Sequence, residues 1–384
     1  MKAINRAGGV KSRQEKRINK YLHDNHANVE GNPLELLIAY LKRLEGLKIG
    51  PYEAALKTRQ LHSLYKLEEL EPYLVDLNEV CSDRGVVILI DELDRGWDAS
   101  EDAIAFVAGL FQAAVSIRAK TPYVRILISL RRELYDNIPA LYEDAQKVRD
   151  VIEVIDWDEP RLLELVARRI AHSIRELGSI SARERWNLCF AETMDYRQTK
   201  SFNYMVDRTL YRPRELIQFC LQTRSIALKN GDTPPLNYKT ISEAEYAFSD
   251  ERTKDIAAEY RFQYPGLGTV METFRGMNYN FERTNLETHC LALAAGDFRV
   301  AHEATWCRDA DPETIVEILW RVGFIRAQAI GGIKARRRSG SEYLGSHQVS
   351  SLNLRNIRKF HIHPMFRAAL GLRESKSRTR NSDE

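Results

Sequence analysis

Two carboxylates stand side by side at the end of an apolar run, where Val86-Val-Ile-Leu-Ile90 is followed by Asp91, Glu92, Leu93 and Asp94. Five apolar, mostly β-branched residues without a charge read as a buried parallel strand, and in open α/β sheets ligands meet the C-terminal ends of the strands. Carboxylates at that end suit a metal-bound phosphate. The first can hold Mg2+ through its water shell, and the second can orient and deprotonate a water for attack on phosphorus. Asp91 and Glu92 are the candidates for these two roles, in the hhhhDE pattern of a Walker B motif. The same residues also read as a core strand running into an acidic loop.

Cationic side chains recur at comparable places. A second apolar run, Val124–Leu130, ends in Ser129, Arg131 and Arg132. A polar group beside a Walker B strand can touch the terminal phosphate or the attacking water, which makes Arg131 the candidate sensor with Ser129 behind it. An exposed arginine pairing with Glu133 is the other reading. Further on, Tyr211-Arg212-Pro213-Arg214-Glu215 opens a helix over Leu216–Leu228 with two arginines in its first turn. The helix dipole favours anions there, so the arginines depart from local preference. Two guanidiniums could clamp a phosphate, or pair with Glu215 at the surface. His361 and His363 alternate along a strand and share a face, but two ligands make a poor metal site and none follows nearby.

The elements that position these groups alternate. Asn32-Pro33 opens a helix through Leu47, a helical pair spans Tyr52–Leu64 and Leu67–Val80, and the first strand follows Asp83-Arg84-Gly85. A helix runs from about Ala99 to Lys120, with Asp98 and Glu101 as a capping box. Thr121-Pro122 ends it before the second strand. A helix over Leu141–Val148 leads to a third strand at Val151–Ile155, and Asp158 caps a helix with Pro160 in its first turn. Strands and helices alternating at this spacing imply a parallel βαβ sheet with right-handed crossovers. Ser179–Ala227 is helical throughout. Short helices at Thr269–Phe274, Asn285–Ala295 and from Asp311 to Arg321 precede a strand-like run, a basic loop (Lys334, Arg336, Arg337, Arg338) and Phe360–Pro364. Three helices and a hairpin with a basic tip describe a winged helix.

A phosphate site also needs a glycine-rich cradle, and the chain contains no GxxxxGK[ST]. Gly8-Gly9-Val10-Lys11-Ser12 comes nearest, with Val10 in place of a required glycine and no apolar strand ahead of it. It reads as a basic N-terminus. No apolar h-region and no unbroken apolar run of membrane-spanning length stand out, so the expected location is cytoplasmic with no membrane partner. Five cysteines without a CxxC pair argue against zinc and disulfides. From Arg321 to Glu384 there are 14 Lys or Arg against 4 Asp or Glu, which makes that end a candidate surface for an anionic partner.

Six blocks, VVILIDELDRGWD, RILISLRRELYD, VIEVIDWDEPRLLELVARRI, YRPRELIQFC, AFSDERTKDIAAEYRFQYPGL and FHIHPMFRAALGL, together resemble a family of bacterial P-loop ATPases. These are AAA+/STAND-like proteins with a C-terminal winged helix, and the resemblance runs in order from about residue 60 to the tail. It implies an incomplete P-loop NTPase of the ASCE/AAA+ type: an α/β parallel sheet, a helical lid and a winged-helix domain. The implied domains are 1–80, an N-terminal helical part; 81–178, the core; 179–262, the lid; 263–372, the winged helix; and 373–384, a disordered tail. It implies ATP hydrolysis coupled to conformational regulation, with ATP and Mg2+ as cofactors. Asp91 and Glu92 would be the Walker B pair, Arg131 the first sensor, and Arg212 and Arg214 the second. The partners implied are a homo-oligomer and DNA or protein at the winged helix. Members carry a glycine-rich loop and its strand upstream, between the strands matching Val124–Leu130 and Val151–Ile155. Without that loop the chain is expected to be inactive, leaving a non-catalytic DNA-binding or protein-interaction scaffold as the alternative.

Overall fold

The computed structural model describes residues 13–26, 67–82, 85–94, 97–136, 138, 152–174, 179–195, 198–308, 310–328, 343–349 and 352–374. Several expectations lie outside these residues: the Gly8–Ser12 stretch, the helices at Asn32–Leu47, Tyr52–Leu64 and Leu141–Val148, the basic residues Lys334, Arg336, Arg337 and Arg338, and the tail beyond 374. The protein is mixed α/β and mostly helical, with two compact units, Met1–Ile152 and Glu153–Glu384.

The first unit contains α1 (Arg13–His26), α2 (Leu67–Ser82), β1 (Val86–Ile90), α3 (Glu101–Lys120), β2 (Val124–Ile128) and α4 (Arg132–Asp136). β1 and β2 pair in parallel, Val86 opposite Val124 and Ile90 opposite Ile128. Parallel neighbours need a long crossover, which α3 supplies. Ser100 rather than Asp98 caps α3, accepting from Ala103 N at 3.2 Å, while Asp98 accepts from Ser100 N at 2.9 Å. Of the described helices, α3 is long and apolar enough to cross a membrane by length and composition, although acids begin it, bases end it and Val107 is buried.

The sheet departs from the expected buried strand. One face, Val86, Val124 and Ile126, packs on Leu77, Val80 and Cys81 of α2. The alternate residues lie bare: Val87 is 58%, Leu89 73% and Leu127 59% exposed. Parallel sheets are ordinarily covered on both faces, and among the described residues nothing covers this one. The third strand is also not formed. Ile152–Asp158 carry no strand, with Val154 63% and Ile155 81% exposed. A strand exists only beside a partner, and among the described residues β2 pairs with β1 alone.

The second unit begins with α5 (Glu159–Ser173), α6 (Ala182–Cys189), α7 (Ser201–Val206), α8 (Pro213–Asn230) and α9 (Tyr238–Glu259). Asp158 caps α5 as expected, accepting from Arg161 N at 2.9 Å, and Ser181 with Glu184 forms a capping box on α6. Caps of this kind contribute about 1 kcal/mol each. The helices close around Leu162, Trp186, Phe202, Met205, Phe219 and Phe248. After them come α10 (Leu267–Glu272), β3 (Asn280–Glu282), α11 (Arg283–Ala295), α12 (Pro312–Arg321), β4 (Ile325–Gln328), β5 (Tyr343–Leu344), β6 (Lys359–Ile362) and α13 (Pro364–Arg367). The four strands form an antiparallel sheet in the order β3-β6-β4-β5. Its inner face, with Phe281, Ile325, Ala327, Phe360 and Ile362, joins a core that includes Phe274, Leu319, Phe324 and Phe366. Arg373, expected to open a disordered tail, is instead held in place, its N–H donating to Met277 O at 2.9 Å.

Four histidines of this unit are held neutral. Burial pushes His289 down to about 4 and His347 down to about 3, the latter helped by the Arg326 and Arg212 cations. Burial, with Arg326 and Arg367 nearby, also holds His361 and His363 well below the ordinary histidine value. The unfolded chain therefore takes up protons that the folded one refuses, so this stability is complete above pH 7 and is lost as pH falls below 6.5. At pH 5.5 the loss is roughly 1.4 kcal/mol for each such ring taken alone. Thermal melts followed by tryptophan fluorescence should show a falling midpoint from pH 7.5 to 5.5, and His289→Phe should flatten part of that slope.

Candidate functional site

The carboxylates sit where the sheet ends. Ser129 N donates to Ile90 O at 2.8 Å, the last bond of the ladder, so the chain leaves β1 at Asp91 and β2 at Ser129 side by side. Asp91 Oδ1 accepts the Glu92 N–H at 2.9 Å. Glu92 has φ 61°, a left-handed backbone that costs a residue with a Cβ about 1 kcal/mol. Both side chains are exposed. Arg131 follows two residues behind Ser129, and its Nε donates to Asp94 Oδ2 at 2.7 Å. The loop after β1 is thus tied to the end of β2 by an ion pair, and the partner, Asp94, was not singled out by spacing alone. Asp91, Glu92, Asp94 and Arg131 form one polar edge. That edge can take an anion carried by a hydrated cation. Asp91 suits an outer-sphere Mg2+ ligand because an octahedral ion can complete its shell with water and phosphate oxygens. Among the described residues no group of three or more His, Cys, Asp or Glu could hold a metal alone.

The arginine turn belongs to the second unit. Tyr211 has φ 58°, again a left-handed backbone at a residue with a Cβ. Thr209 Oγ1 accepts from Tyr211 N at 3.2 Å, Glu215 Oε2 from Leu210 N at 2.7 Å, and Glu159 Oε1 from Tyr211 Oη at 3.1 Å. Arg212 is the N-cap of α8, contributing no side-chain cap, and Pro213 follows at the first helical position. The two arginines differ in what holds them. Arg212 makes a bidentate contact with Glu259 at 2.8 and 3.1 Å and lies 3.8 Å from Glu215. Burial pushes the Glu215 carboxyl up against the pull of that cation. Arg214 stands exposed in the first turn of α8. Of the pair expected to clamp phosphate, Arg212 is engaged in fastening α8 to α9, and Arg214 is the one that faces solvent.

The histidines group differently from a metal site. His363 Nε2 lies 2.6 Å from Arg326 Nη2, and Arg326 Nη1 donates to Asp207 Oδ1 at 2.6 Å. Burial alone would raise the Asp207 carboxyl, but Arg326 holds it below the usual range. A lone arginine inside the apolar strand run Phe324-Ile325-Arg326-Ala327 was the sequence signal for this pairing, because a buried cation must find a partner.

Comparison with known proteins gives two matches. Residues 160–257, which include α5 to α8 and most of α9, match a family described as the FunZ-associated C-terminal helical domain. The chain is also 25% identical, over 83% of its length, to the "Putative transposon gamma-delta 80.3 kDa protein" of Escherichia coli (strain K12), a distant homologue. The chain spans 44% of that protein's length. No solved structure matches.

The different engagement of the arginines has a measurable consequence. Arg212→Ala removes the bidentate cation from Glu259 and the nearer cation from buried Glu215 and should cost about 2 kcal/mol of unfolding free energy in urea titration, whereas Arg214→Ala should stay within about 0.5 kcal/mol.

Proposed function

We propose that this chain carries the acidic half of an ATP-hydrolysing site of the P-loop class, coupled to conformational regulation. The observation that carries the reading is the polar edge of the parallel pair: Asp91 and Glu92 leave β1 beside Ser129, and Arg131 is tied to Asp94. In this reading Asp91 would hold Mg2+ through water, Glu92 would take the proton of the attacking water, and Arg131 would stabilise charge on the transferred phosphoryl group. Mg2+ supplies charge neutralisation on the phosphate oxygens when bound. The bare face of β1 and β2 and the unformed strand at 152–155 support a further segment with a strand and a glycine-rich loop beside β2. The greater length of the Escherichia coli relative is compatible with such a segment. That relative's name also suggests a mobile-element setting, and a nucleotide-driven switch fits there. Joined to an upstream region carrying a GxxxxGK[ST] loop, the protein should hydrolyse Mg-ATP. Glu92→Gln should lower turnover by about 100-fold or more while ATP still binds. Unchanged turnover in that variant removes Glu92 from the chemistry.

The C-terminal region supports a second role. α10, β3, α11, α12, β4 and β6 follow the order of a winged helix, with β6 between β3 and β4. In DNA-binding members of that design the third helix enters the major groove. Here Ile315, Val316, Ile318, Leu319 and Trp320 of α12 are buried, and the exposed residues at and along it are Asp311, Thr314, Glu317 and Arg321, the acids outnumbering the base. Acids facing phosphates would repel, so the surface favours a protein partner over DNA. Duplex DNA at 50–100 mM salt should bind no more tightly than about 0.1 mM, with no change on neutralising Lys334, Arg336, Arg337 and Arg338. Tight, steeply salt-dependent binding abolished by those substitutions would assign the domain to DNA instead.

A further inference from the structure

The segment Asp207–Tyr211, which leads into the arginine turn and opens it, is fastened at three points to β4, to Gly323 ahead of it and to the segment after β5. Arg326 of β4 pairs across the strands with His361, on the face opposite the apolar core. From there it reaches Asp207, donating to the carboxylate at 2.6 Å and to the main-chain oxygen at 2.9 Å. It is 1% exposed, so this contact is its means of keeping a charge inside the protein. Next, Leu210 lies under Gly323, which precedes β4. Gly323 has φ 79°, and a Cβ there would come within 3.1 Å of Leu210 Cδ2. Last, Tyr211 stacks on His347 just beyond β5, with ring centroids 5.5 Å apart and planes at 28°. Gly345 makes room for that ring, since a Cβ on it would lie 2.7 Å from His347 Cε1. Among the described residues neither nitrogen of His347 has a hydrogen-bond partner, so the ring acts through its face.

These contacts meet the backbone where it is least able to hold its own shape. Tyr211 occupies the left-handed region, a conformation that persists only when its surroundings impose it. The residues that follow it are Arg212, whose side chain is engaged with Glu259, Pro213 at the start of α8, and Arg214 in the first turn of that helix.

We propose that Arg326 is a positioning residue for the turn Tyr211–Arg214: β4 and the segment after β5 set the backbone of that turn and with it the direction of Arg214. The C-terminal sheet and the arginine turn are then one mechanical element, and a change at either is felt at the other. This coupling concerns the turn itself and stands whether or not the turn meets a nucleotide.

Hydrogen exchange by mass spectrometry on the full chain tests it. In Arg326→Met the amides of residues 209–216 should exchange about fivefold faster or more, with α9 and α11 unchanged. The reciprocal variant Tyr211→Ala should speed exchange at residues 343–349 by a similar factor. Because Arg326→Met strands a carboxylate, Asp207→Leu with Arg326→Met is the companion that stays folded if the single variant does not, and it should loosen 209–216 in the same way. Unchanged exchange at 209–216 in a folded variant, a uniform rise across the whole unit, or no response at 343–349 to Tyr211→Ala would each overturn the proposal.

Discussion

Every strand in a folded chain has to satisfy its backbone groups through a neighbour, and that requirement governs what the first unit can and cannot form. β1 and β2 meet it for each other, which fixes Ile90 opposite Ile128 and delivers Asp91 and Ser129 to one edge. The mostly apolar segment at 152–155 has the composition of a strand yet carries none, because among the described residues it pairs with no neighbour. An unpaired buried amide or carbonyl costs about 1–3 kcal/mol, more than the β preference of a few valines and isoleucines can offset. Composition decides what a segment could become; a partner decides whether it does.

That distinction separates what was legible in the sequence from what was not. The strand at 86–90, the second strand apart from its end, expected at Leu130 and found at Ile128, the capping by Asp158 and Asp311, and the body of α8 follow from local patterns of apolar residues and of Asp ahead of Pro. The capping of α3 by Ser100 was missed because Asp98 and Ser100 both fit, and only the backbone selects between them. Long-range pairings were hidden for the same reason. Nothing adjacent to Arg131 names Asp94, and nothing near Arg212 names Glu259, 47 residues away. The two arginines of Tyr211–Glu215 look equivalent by type and spacing, and only the packing of α8 on α9 makes one a fastener and leaves the other exposed.

The second unit solves the problem of buried charge by pairing. Arg326 with Asp207 and Arg208 with Glu245 sit between elements far apart in sequence. The buried histidines contribute by staying neutral. His363 illustrates the constraint: Arg326 Nη2 approaches one ring nitrogen, and Met365 N lies 3.1 Å from the other. A neutral ring carries one proton and can accept at one nitrogen only, so a single bond of the two is fully made. A protonated ring would accept neither. Such arrangements are poor sources of net stability compared with an apolar core of the same volume, yet they leave few alternative packings.

The uncovered face of the parallel pair also bears on how the chain behaves in a crowded solution. Val87, Leu89 and Leu127 form an apolar surface beside a strand edge that pairs with no further strand among the described residues. Such an edge can recruit a like strand from another molecule as readily as its proper neighbour. Two copies meeting there would extend each other's ladder, and the process would accelerate with concentration. The feature that makes the sheet receptive to completion thus sets a ceiling on solubility, and a cell making this polypeptide would gain by keeping it dilute or by covering that edge as soon as it emerges.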